Sequence, residues 1–87
     1  MHIVPGFVIR EIAGENIAIP TGDAARRLSG MITLNECGRF LFELLQTEQT
    51  RESLVEALLA EYEIDRDTAS ADTEEFISRL KQCGFLE

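Results

Sequence analysis

The sequence predicts an α+β domain in which an antiparallel sheet of three short strands, an N-terminal hairpin plus a third strand, is followed by three helices. Three observations carry that reading. Two strand-like runs, Phe7 to Ile12 and Asn16 to Pro20, flank the tight turn Ala13-Gly14-Glu15. The run from Gly30 to Leu45 changes from alternating apolar and β-branched residues to helical spacing at Asn35. Two further stretches, Thr50 to Tyr62 and about Asp65 to Cys83, repeat apolar residues at intervals of three and four. At 87 residues the chain is read as one domain spanning 1–87. A chain of that size buries roughly 60–65% of the surface its unfolded form exposes.

In chain order, Met1-His2-Ile3-Val4-Pro5-Gly6 is an extended lead-in that Pro5 and Gly6 keep irregular. It is expected to fray. In the returning strand of the hairpin, Ile17 and Ile19 share a face. Thr21 to Ser29 is a connection with room for one helical turn, and it delivers the chain to the third strand, Gly30 to Leu34. Asn35 is of the type that caps a helix start, and Glu36 suits the positive end of the helix dipole. The first helix, Glu36 to Leu45, carries an apolar stripe of Cys37, Phe40, Leu41, Leu44 and Leu45, with Phe42 at its border. The second starts after Thr50 and turns Leu54, Val55, Leu58, Leu59 and Tyr62 inward. The third lines its core face with Ala69, Thr73, Phe76, Ile77 and Leu80 and stops at Gly84. Phe85 and Leu86 then fold back onto the core.

Charge and composition narrow the function. Sixteen acidic against eight basic residues leave a net charge of −8, which opposes nucleic-acid binding and favours partners with basic or amphipathic segments. No apolar run approaches the ~20 residues of a membrane span and no signal-peptide pattern opens the chain, so a cytoplasmic protein off the membrane is expected. Cys37 and Cys83 are then expected to be reduced thiols. His2 is the single histidine and lacks a companion at ligand spacing, so neither a metal site nor a catalytic triad can be assembled. There is no CxxC, HExxH or phosphate-cradling glycine loop. Adjacent acids such as Glu74-Glu75 point to different sides of a helix. No catalytic residue, metal or cofactor is assigned, and the chain reads as a non-enzyme.

Two features remain. Asp72, Phe76, Arg79 and Cys83 follow one another at spacings of four, three and four, which lines them along one edge of the third helix. Such a row is either a solvated border or a functional edge. The strand from Gly30 to Leu34 carries no charge, although an exposed edge strand is normally covered, charged or used. A peptide can add to such an edge as a further strand.

The pieces Pro5-Gly6-Phe7, Gly30-Met31-Ile32-Thr33-Leu34-Asn35-Glu36, Phe42-Glu43-Leu44-Leu45, Ala71-Asp72 with Phe76-Ile77 and Leu80, and Gly84-Phe85-Leu86 occur in one order over nearly the whole chain. In that order the sequence resembles the pyrroloquinoline quinone biosynthesis protein D family. The resemblance implies a winged helix-turn-helix-like fold and a role as a recognition element, a peptide chaperone in natural-product biosynthesis. Such a protein binds the leader of a ribosomally made precursor peptide and presents it to a modifying enzyme, often a radical S-adenosylmethionine enzyme. It also implies a groove between Met31, Ile32, Thr33 and Leu34 on one side and Asp72, Phe76, Arg79 and Leu80 on the other. Thr73 stands where the family usually has an aliphatic residue, and the two cysteines are not family hallmarks. Monomer or weak homodimer is expected.

Two other functions compete. A DNA-binding winged helix needs a basic second or third helix, whereas Thr50 to Tyr62 holds one arginine against three glutamates. A structural subunit of a larger complex needs the edge strand paired permanently with another chain.

Overall fold

The computed structural model describes residues 1–28 and 30–87; Ser29, the last residue of the connection read from the sequence, lies outside them. The chain forms β1 (Phe7–Ile12), β2 (Glu15–Pro20), α1 (Gly22–Arg27), β3 (Ile32–Leu34), α2 (Glu36–Leu44), α3 (Arg51–Glu61) and α4 (Arg66–Cys83). The α+β class therefore holds, with one addition. The connection after β2 contains a six-residue helix, α1, so among the described residues four helices and not three follow the hairpin. Local contacts explain it. Ala24 is buried, the Thr21 hydroxyl and amide both donate to the Gly6 carbonyl, and Asp23 pairs with Arg26 on the outer surface. Gly6 makes that contact possible: its φ is 106°, and a Cβ there would meet Thr21 O at 3.1 Å and the Ala24 methyl at 3.2 Å.

The hairpin closes through Ala13 and Gly14, both at positive φ (53° and 81°), as a two-residue loop matching the twist of its strands requires. β2 is central. It pairs antiparallel with β1 from Phe7 opposite Pro20 to Ile12 opposite Glu15, and with β3 through Ala18–Ile32, Ile17–Thr33 and Asn16–Leu34. β1 and β3 are thus both sheet edges. β3 starts at Ile32, two residues later than the alternation predicted.

One face of the sheet packs on the helices. Ala18, Ile32 and Leu34 join Leu41, Phe42, Leu45, Leu54, Leu58, Ile77, Leu80 and Phe85 in a single core. Phe7 stacks between Phe42 and Phe85, with ring centroids 5.5 and 4.7 Å away. The contact of Phe7 with Phe42 goes with a shifted inner face of α2: Phe42, read as a border residue, is fully buried, while Cys37, Phe40 and Leu44 are half-buried. The face of α4 is the one the spacing predicted, Ala69, Thr73, Phe76, Ile77 and Leu80 all being buried.

The lead-in does not fray. Ile3 bridges to Leu86, the amides of His2 and Val4 donate to the carbonyls of Glu87 and Phe85, and Ile3 and Val4 are buried. Phe85 is drawn inward on the same seam after Gly84 ends α4 at φ 75°.

Candidate functional site

The outer edge of β3 runs into the start of α2 and is reached by Arg79 from α4. Asn35 stands at the corner: its side chain accepts the Gly38 amide at 2.7 Å, capping α2 immediately after the strand ends. Period-two alternation sends Ile32 (8% exposed) and Leu34 (2%) into the core and leaves Met31 (59%) and Thr33 on the opposite face. The free edge of the strand is marked by one contact. Arg79 Nη2, reaching from α4, donates to the Thr33 carbonyl at 3.1 Å, so this backbone acceptor turns toward α4.

Behind that contact a cleft of about 100 Å³ opens between the two helices. Its α2 wall is Asn35, Cys37, Gly38 and Leu41; its α4 wall is Asp72, Glu75, Phe76 and Arg79. The close approach of the walls depends on Gly38. A Cβ at that position would lie 3.3 Å from Phe76 Cε1 and 3.1 Å from the capping oxygen of Asn35. Burial first, and the nearby Asp72 carboxylate second, push the Cys37 thiol above its ordinary pKa, so the cleft presents it as a small neutral group. The wall is charged at its rim and apolar at its floor, where Phe76 is 5% exposed and Leu41 1%.

Of the residues singled out beforehand, Asp72, Phe76 and Arg79 line the cleft, Arg79 ties it to Thr33, and Met31 stands exposed beside it. Ile32, Leu34 and Leu80 lie beneath the surface, Leu80 at 0% exposure, and are not part of the cleft lining. Cys83 is exposed outside the cleft lining. Sequence reasoning missed the α2 wall and Glu75. The signal for the wall was the pair of small residues at 37 and 38 just after a helix cap, which lets a second helix come close; Glu75 is one turn before Arg79 on the edge already identified.

The described residues hold no cluster of three metal-ligating side chains, and no helix among them is long and apolar enough to cross a membrane. Both cysteines are free thiols.

Comparison with known proteins adds to this geometry. The family described as coenzyme PQQ synthesis protein D (PqqD) matches residues 12–86. TbiB1, solved in complex with the TbiA(beta) leader peptide, is 26% identical, covers 100% of this chain and 95% of its own, and superposes with a TM-score of 0.74. Lasso peptide synthetase B1, complexed with a leader peptide, shares the fold at a TM-score of 0.69 and 17% identity, covering 97% of this chain and 93% of its own. No curated protein sequence matches.

Proposed function

Because the chain belongs to the coenzyme PQQ synthesis protein D (PqqD) family, we propose that it binds the leader segment of a ribosomally made precursor peptide along the open edge of β3 and presents it to a modifying enzyme. The observation that carries this reading is the juxtaposition of a sheet edge lacking charges of its own with the charged and aromatic edge of α4. The leader complex of TbiB1 supports it.

In this reading an extended segment of about five or six residues pairs with the backbone of Met31 to Leu34. Its amides and carbonyls satisfy the edge, and one or two of its apolar side chains sit over Phe76 between α2 and α4, bordered by Asp72 and Arg79. Ile32, Leu34 and Leu80 hold the groove's shape from below. Each backbone bond adds only ~1 kcal/mol net and ordering the leader costs several, so a Kd near micromolar, about −8 kcal/mol, is expected. That strength permits both delivery and release. No bond is made or broken, so the protein acts without a catalytic group of its own; the chemistry belongs to the partner, of which a radical S-adenosylmethionine enzyme is one type. The protein works as a monomer or weak homodimer.

The test is an NMR amide titration of labelled protein with the leader half of its precursor. Shifts confined to Met31–Asn35 and Asp72–Cys83 are expected. A variant that separates pairing from folding is Thr33→Pro, which deletes an edge-facing amide at a place where a folded sheet tolerates proline. It should abolish the shifts while circular dichroism stays unchanged. Unmoved amides in the wild type at high micromolar leader would overturn the proposal.

A further inference from the structure

The edge of β3 is not left bare, although the strand carries no charge to protect it. Arg79 supplies the missing charge from another element, its guanidinium covering the Thr33 carbonyl. With only three residues in the strand, that carbonyl is the central acceptor a pairing segment has to claim.

Two of the seven arginines, Arg10 and Arg79, have no carboxylate partner among the described residues; Arg10 donates only to the carbonyl of its own neighbour Ile9, at 3.4 Å, whereas Arg79 reaches across to another element. Arg26, Arg27, Arg39, Arg51 and Arg66 each lie within 4.0 Å of a carboxylate. Arg79 has no such partner among the described residues, although Glu75 precedes it at the spacing that commonly forms a helical ion pair. Its charge is spent instead on a neutral carbonyl. A carboxylate is the stronger partner, because charge on both sides of the bond and the two-pronged fit of guanidinium to carboxylate add to each other.

We propose that Arg79 is a specificity residue guarding the β3 edge, releasing the Thr33 carbonyl to segments that offer it a carboxylate and keeping it covered against those that do not. The inference rests on the reading of that edge as a peptide site and names the chemistry it selects. An acidic side chain beside Thr33 draws the guanidinium away, and the freed carbonyl accepts an amide from the arriving backbone. One bond is lost and two are made. A neutral or basic segment loses the same bond and leaves the guanidinium with water alone. Asp72 and Glu75 line the same cleft and repel any further carboxylate, so a single acidic position, the one held by Arg79, is selected.

Panning one library of random displayed peptides against wild type, Arg79→Glu and Arg79→Gln tests this without knowledge of the natural leader. Arg79 is exposed, so all three should keep the wild-type circular dichroism. The wild type should enrich Asp or Glu at one fixed position, Arg79→Glu should enrich Lys or Arg there, and Arg79→Gln should show no charge preference. For a peptide selected on wild type, replacing that acid by Ala should weaken binding about tenfold on wild type and not on Arg79→Gln. The same acidic consensus from all three proteins overturns the guard and leaves the edge intact as a peptide site. Failure of the wild type to select any peptide that shifts the Met31–Asn35 amides overturns the reading of the edge itself, and the guard with it.

Discussion

Thr73 is where a single side chain works against the fold. It sits at 1% exposure on the inner face of α4, and its hydroxyl oxygen is buried with no hydrogen-bond partner among the described residues. A buried polar atom of this kind costs on the order of 1–3 kcal/mol against a shape-matched apolar group. Thr and Val differ by one atom and are nearly equal in helix propensity, so little else changes on substitution. Thr73→Val should therefore raise stability by about 1 kcal/mol, seen as an upward shift of roughly 4–8 °C in thermal unfolding. Thr73→Ala, which removes the methyl as well, should gain less or lose stability, because it leaves a void. The resemblance to a family that usually has an aliphatic residue here points to the same substitution. An unchanged or lowered Tm for the valine variant would mean that the hydroxyl does find a partner in solution.

At the scale of the element, the junction of β3 and α2 holds the site together, and Asn35 holds the junction. Its side chain caps Gly38 while its carbonyl accepts the Arg39 amide, and Arg39 in turn donates to Asn16 on β2 at 2.7 Å and to Glu43. Asn35→Ala should cost about 1 kcal/mol of unfolding free energy in urea titration. It should also weaken leader binding more than that loss of global stability implies, since fraying starts at the α2 wall of the cleft. Equal binding by the variant and wild type would show that the wall does not depend on the cap. This junction was legible in the sequence because each signal is local: a capping side chain, a switch of apolar period and an uncharged strand all lie within sixteen residues, Gly30 to Leu45. The row Asp72, Phe76 and Arg79 was legible for the same reason, through helical spacing. The α2 wall was not, because Cys37 falls on the same apolar stripe as core residues and only the position of α4 turns it toward a cleft. Phe42 was placed at a border because it packs against Phe7 of the hairpin, which itself packs on Phe85 from the far end of the chain, and neither partner is local in sequence. The cover on the Thr33 carbonyl was hidden likewise: the contact joins residues forty-six apart, and no local pattern announces it.

The whole molecule is closed by its two end segments, and that closure is titratable. Ile3 bridges Leu86, while His2 lies between Glu48 and Glu87, at 2.9 and 3.1 Å from their carboxylate oxygens. Hydrogen bonds to Glu48 first and Glu87 second raise the His2 pKa above its ordinary value. The amino group of Met1 and then His2 hold Glu48 below its own. The signs of the two shifts bound the window. A raised histidine stabilises fully below its unfolded pKa, about 6.5, and that contribution disappears as pH rises through the higher folded value. A lowered carboxylate stabilises fully above its unfolded pKa, about 4.3, and the contribution disappears as pH falls through the lower folded value. The clasp is therefore strongest between about pH 5 and 6. Comparing wild type with His2→Gln by urea unfolding across pH 4 to 9 cancels the self-repulsion of a chain of net charge −8, which both proteins share. The stability difference should be largest in that window and shrink at higher pH, where His2 is neutral in both folded and unfolded states. Because the contacts of His2 with Glu48 and Glu87 are open to solvent, the difference should also fall with added salt. The proposed leader groove on β3, α2 and α4 shares no residue with this seam, so leader affinity at pH 5.5 should be the same for the two proteins even where their stabilities differ. A difference in stability that does not vary with pH would show that His2 contributes packing alone.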